Sequence, residues 1–182
     1  IGINYTNNLN FINVIEPEMR AFAKEVGKTV FFGVRSDHEV VYICKTEPEN
    51  PIITTATVGT KNPMYCTSLG KAILAYSDEE TCGQILARMK FKKHTERTIT
   101  DRESLKRELE RVRDQGYALD EREVEEHMEC VGAPVFGPDG SVVGALSVSS
   151  LYKPTEDYEQ LGRLTAKKAA EVSKLLGFLG KI

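Results

Sequence analysis

No run of about 18 apolar residues occurs in the chain, so no segment is built to cross a bilayer as a helix. A basic-then-apolar leader is also missing, which removes any sign of secretion and points to a cytoplasmic protein without a membrane partner. There is no excess of one charge: 24 Lys and Arg face 27 Asp and Glu, a net of −3. Neutralised phosphates dominate nucleic-acid affinity, so a slightly acidic chain is a poor nucleic-acid binder by itself. Cysteine is scarce. Cys44, Cys66, Cys82 and Cys130 lie far apart with no CxxC pair, and read as reduced thiols rather than a disulfide framework. The three histidines, His38, His94 and His127, sit in polar segments without metal-ligand spacing and read as surface residues, so no metal site is expected. A P-loop signature is absent.

What is present suits one globular domain: 182 residues, 41% hydrophobic and 28% charged. Leu9, Ile12, Ile15, Met19, Phe22 and Val26 recur at helical spacing and predict a helix over 9–26 with one buried face, closed by Gly27. Two β-rich runs, 29–34 and 40–44, flank the polar turn Ser36-Asp37-His38 and predict a hairpin. A third strand is expected over 52–58. A short helix begins at Thr67 or Ser68 and ends near Tyr76. Capping boxes at Ser77-Asp78-Glu79-Glu80 and Thr100-Asp101-Arg102-Glu103 each open another helix, the latter closed by Gly116. The basic stretch 90–99 reads as a solvated loop. After Tyr117–Asp120, strands are expected over 130–136 and 141–149, around the turn Gly137-Pro138-Asp139-Gly140. Thr155 is the expected cap of a final helix. A hairpin cannot be parallel, so the order helix, three strands, three helices, three strands, helix predicts an α+β fold: a mostly antiparallel sheet with helices on its faces.

Three constellations bear on function. Met64-Tyr65-Cys66-Thr67-Ser68-Leu69-Gly70-Lys71 runs small polar residues straight into a helix, where free N–H groups can hold a carboxylate or phosphate. An ordinary N-cap, with Gly70 permitting close packing, explains the same residues. Ser147 and Ser149, two apart in a Val/Ala/Leu-rich strand, share one face and need partners if buried. A ligand would supply those partners, and so would water if the strand frays there. Cys130 lies near Asp120 and His127, which opens a nucleophilic reading. No oxyanion donor accompanies it, and a small buried hydrophobe is the usual fate of a free cysteine.

Taken in order, these segments resemble the C-terminal effector-binding domain of the IclR family of bacterial transcriptional regulators. The residues that carry the likeness are Gly116-Tyr117-Ala118-Leu119-Asp120, Glu123, Cys130-Val131-Gly132 and Val135-Phe136, with Tyr65–Lys71 and Leu146–Ser149 as second and third hallmarks. The likeness runs from about residue 10 to about residue 178. Glu96-Arg97-Thr98-Ile99-Thr100 further resembles the branch that regulates sugar-acid and pectin-breakdown genes. Gly137 departs from the family, which usually has Asp or Asn there, and a changed turn is expected.

The resemblance implies a GAF-like fold with a curved antiparallel sheet of about six strands and a pocket on one face. It places ligand contacts on Ser68, Leu69, Asp120, Cys130, Ser147 and Ser149, with no catalytic residue and no cofactor. It further implies that residues 1–10 end a linker helix, that 11–182 form the sensor, and that the family's N-terminal winged helix-turn-helix is absent from this stretch. A chain opening at Ile1 is accordingly expected to be a piece of a longer one. DNA would be bound only through that absent part, and the domain would be a homodimer or homotetramer.

Hydroxyls, N–H groups, a thiol and one carboxylate, with the direction of Lys71 open, predict micromolar-to-millimolar binding of a small organic acid. An ionised Asp120 would repel a second carboxylate and accept from a ligand hydroxyl, which points to a keto or sugar acid. The competing readings are a ligand-free GAF-like oligomerisation module and a cysteine-dependent enzyme using Cys130.

Overall fold

The computed structural model describes residues 2–52 and 54–180, the first nine of these by backbone alone. The chain forms α1 (Gly2–Val26), β1 (Thr29–Ser36), β2 (Glu39–Thr46), β3 (Lys61–Pro63), α2 (Ser68–Tyr76), α3 (Glu79–Arg88), α4 (Arg102–Gln115), β4 (Ala118–Glu121), β5 (Met128–Phe136), β6 (Val142–Leu151) and α5 (Tyr158–Leu175). The element order is the expected one. All six strands join one antiparallel sheet in the order β3-β2-β1-β6-β5-β4, curled into a half-barrel.

Each face of the sheet carries its own core. On one, Ile15, Met19 and Phe22 of α1 and Leu161, Ala169 and Val172 of α5 pack on Val30, Phe32, Val131, Val135, Leu146 and Val148. On the other, α2 lies against Phe31, Val40 and Tyr42, with Ile85 and Leu86 of α3 and Leu105 and Leu109 of α4 stacked behind it. Helices cover both faces, so β5 and β6 are buried almost throughout.

The expected third strand over 52–58 does not form. The described part of that stretch is an irregular arch, and β3 lies just beyond it, pairing Lys61–Pro63 with Glu39–Val41. Strand propensity reflects the fit of a side chain to a pleated, half-buried surface. Here Val58 is 59% exposed. Gly59 turns the chain at φ +91°, and only its N–H and the Thr60 carbonyl reach Tyr42.

Three helix starts also shift toward an aspartate. Asp78, Asp101 and Asp157 accept from the N–H groups of Thr81, Ser104 and Gln160, in place of Ser77, Thr100 and Thr155. A carboxylate both caps and opposes the positive end of the helix dipole. Ser77 instead closes α2 by donating to the Ile73 carbonyl.

Candidate functional site

The antiparallel register carries a polar row across four strands. Asp120 on β4 is opposite Cys130 on β5, Cys130 is opposite Ser149 on β6, and Ser149 is opposite Thr29 on β1. Side chains at paired positions share a face, so these four point to the α2 side of the sheet. The next row holds Gly132, Ser147 and Phe31.

Above the first row lies a cavity with about 60 Å³ of room for water-molecule centres. Its floor is Asp120, Cys130 and Ser149, with the Phe31 and Tyr42 rings packed together at 5.1 Å. Thr67, the N-cap of α2, forms a wall with Asn62, Val124 and Met128. The arch residues Thr54–Ala56 roof it, and Thr55 Oγ1 donates to Glu125 Oε1 at 2.6 Å, tying the arch to the β4–β5 connection.

Of the six residues expected at the site, Asp120, Cys130 and Ser149 therefore line one cavity. Ser68, Leu69 and Ser147 lie beside it, outside the lining. The start of α2 rests on β5, and a Cβ on Gly132 would come within 2.8 Å of the Ser68 carbonyl carbon. Leu69 turns its side chain into the core, toward Gly33. Tyr42, Asn62, Thr55 and Glu125 escape a sequence reading. They sit on β2, at β3 and in two loops, and nothing in their local spacing marks them as neighbours.

The site's groups are strongly perturbed. Burial, reinforced by the neighbouring Glu123 carboxylate, pushes the Asp120 carboxyl up to about 7, against the Glu123 N–H that donates to its Oδ1 at 2.7 Å. Burial and the Asp120 charge push the Cys130 thiol far above its ordinary range, and the thiol donates to Ser149 Oγ at 3.3 Å. A thiol held protonated is a poor nucleophile, which removes the physical basis for a cysteine enzyme.

Lys71 points away from the cavity. It is 0% exposed, and its Nζ donates to Glu108 Oε1 at 3.0 Å and to Glu123 Oε1. Burial works against its charge, but the two carboxylates outweigh that and hold its ammonium above the usual range. Among the described residues the cavity lining contains no Lys, Arg or His.

A paired-serine strand, a helix start seated on the sheet and a buried Asp120 opposite a half-buried Cys130 thus meet in one fold, over most of the chain. The family description "Bacterial transcriptional regulator IclR C-terminal" matches residues 3–174. The chain belongs to the IclR family. It is 32% identical over 180 residues to the HTH-type transcriptional regulator KdgR of Escherichia coli K12, an alignment covering 98% of this chain and 68% of that protein. Its fold is similar to that of the IclR protein of Thermotoga maritima, at a TM-score of 0.87 and 32% identity, over 97% of this chain and 74% of that one. The C-terminal domain of E. coli KdgR is similar at a TM-score of 0.81 and 32% identity, over 92% of this chain and 99% of that domain. These IclR-family relatives are transcriptional regulators and not enzymes. Among the described residues, no helix is long and apolar enough to cross a membrane.

Proposed function

We propose that this IclR-family domain is a sensor whose cavity takes a small organic acid, and that occupancy alters DNA binding by a winged helix-turn-helix lying N-terminal to residues 11–182 in the whole protein. The observation that carries the reading is the row Asp120–Cys130–Ser149 under the α2 cap: a buried polar cluster that opens into a cavity. Polar groups buried without use are costly, and a ligand's oxygens satisfy them.

Room for one water centre takes roughly 10–15 Å³, so the cavity as it stands suits a ligand of about four to six non-hydrogen atoms. A keto acid fits that size, and a sugar acid requires the 54–56 arch to lift. The likeness of residues 96–100 to the sugar-acid branch supports the larger class.

Sheet geometry supports the signalling half. Phe31 faces the cavity, while its neighbour Phe32 faces the other side and packs on Phe11 of α1 at 5.3 Å. A shift of β1 on ligand binding therefore bears on α1, whose first residues lead toward the DNA-binding part. A soluble cytoplasmic homodimer or homotetramer completes the reading.

The test is calorimetric titration of a panel of keto and sugar acids against the wild type, Ser147→Ala and Ser149→Ala. Loss of one hydroxyl contact weakens binding about fivefold, or ~1 kcal/mol. That loss is expected for Ser149→Ala, whereas Ser147, outside the lining, serves as the control; unchanged affinity in Ser149→Ala would place the site elsewhere.

A further inference from the structure

We propose that the acid enters the cavity together with a proton, which is carried by Asp120. This rests on the reading of the cavity as the effector site. Asp120 is 4% exposed and lines the cavity, and its Oδ1 accepts a hydrogen bond from the Glu123 N–H.

The charged and titratable groups facing it offer no free cation. From α2 and the turn before it come Lys71, already engaged by Glu108 and Glu123, and the thiol of Cys66. β5 presents the Cys130 thiol, β2 the Tyr42 phenol, and the β4–β5 connection the Glu123 and Glu125 carboxylates. The thiols and the phenol are buried and stay protonated.

A bound carboxylate thus meets hydroxyls, a thiol, an amide, the exposed Glu125 carboxylate that Thr55 holds at the rim, and one buried acid, Asp120. Two ionised carboxyl groups without a cation between them cannot share so small a space, so the second charge is removed by protonation. Protonated Asp120 then changes role. It becomes a donor to the ligand carboxylate rather than an acceptor from a ligand hydroxyl. The preferred ligand is a monoacid, because no second buried carboxyl group lines the cavity to take another proton.

The free carboxyl already lies near neutrality. Binding raises it further, so the complex holds more protons than the free domain at and above pH 7, and affinity falls as pH rises. For a site that titrates near 7 when free and well above 8.5 when bound, the loss between pH 6 and pH 8.5 approaches about 30-fold.

The experiment titrates this chain with pyruvate, D-gluconate and the neutral isostere pyruvamide at pH 6.0, 7.0 and 8.5. Phosphate and Tris are compared at pH 7.5, because their different ionisation heats report proton uptake. The expected result is a steep loss of affinity with pH for the acids, a buffer-dependent heat corresponding to uptake of about three-quarters of a proton at pH 7.5, and little of either for pyruvamide. In Asp120→Asn, which keeps an oxygen for the Glu123 N–H, acid affinity becomes independent of pH. Acid binding that is flat from pH 6.0 to 8.5 with no buffer-dependent heat in the wild type overturns the proton linkage and leaves the site reading intact. No binding of either acid at pH 6.0 overturns both.

Discussion

Gly132 of β5 and Ser68 of α2 are in backbone contact: a Cβ on Gly132 would stand 2.8 Å from both the carbonyl carbon and the carbonyl oxygen of Ser68. This contact seats the start of α2 on the sheet and sets how close the helix's first turn comes to the row of Asp120, Cys130 and Ser149. Gly70 adds a second close approach, since a Cβ there would run into the Met64 backbone. Glycines at these two points are what allow a helix start to serve as a wall of the cavity.

Gly132→Ala should lift the start of α2. Overpacking of this kind costs about 1–3 kcal/mol. Urea denaturation reads that loss, and titration with the acids reads a parallel drop in affinity. Gly116→Ala provides the contrast. It strains a left-handed cap at φ +85° and costs about 1 kcal/mol, yet it should leave affinity unchanged because that cap ends α4, away from the cavity. Equal losses of affinity in the two variants would contradict the positioning role of Gly132.

Lys71→Met should be among the most destabilising single changes. It strands two carboxylates, Glu108 and the buried Glu123, around an uncharged side chain. Breaking a buried pair this way costs about 3–5 kcal/mol. Adding Glu123→Gln should recover part of that loss, which a double-mutant cycle in urea measures. A single variant as stable as the wild type would show that the pair does not hold α2 to α4 and the β4–β5 connection.

Asp120 gives the free domain a pH-dependent stability of definite sign. Its folded carboxyl titrates near 7, against the ordinary aspartate range in the unfolded chain. The folded state therefore binds the extra proton between about 4 and 7, and the stability linked to this group is complete below that window and lost as pH rises through it. Urea midpoints taken from pH 4.5 to 8 should decline for this reason. Asp120→Asn should flatten the decline and exceed the wild type at pH 8 by roughly 2–4 kcal/mol. A variant that tracks the wild type across the range would refute the perturbed carboxyl.

Much of the architecture is legible in local pattern. The spacing of Ile15, Met19 and Phe22 places the buried face of α1, and Gly116 stops α4 where a left-handed residue is needed. Local pattern fails where burial decides. The described part of the β-branched run at 52–58 packs on the core through Ala56 and arches over the cavity without joining the sheet, and caps move by one or two residues to whichever carboxylate lies nearer the helix start. The functional residues divide in the same way. Ser147 and Ser149 share a face by the two-residue period of a strand alone.

The family, the order of elements and the polar residue types available for a ligand follow from short-range periodicity and ordered motifs along the chain. Folding in three dimensions is needed to bring some of those residues into one cavity, to turn the Lys71 charge to Glu108 and Glu123, and to set the Asp120 carboxyl near neutrality. Each depends on strand register and on burial by elements distant in the chain, and the energy of a charge is set by what surrounds it in space.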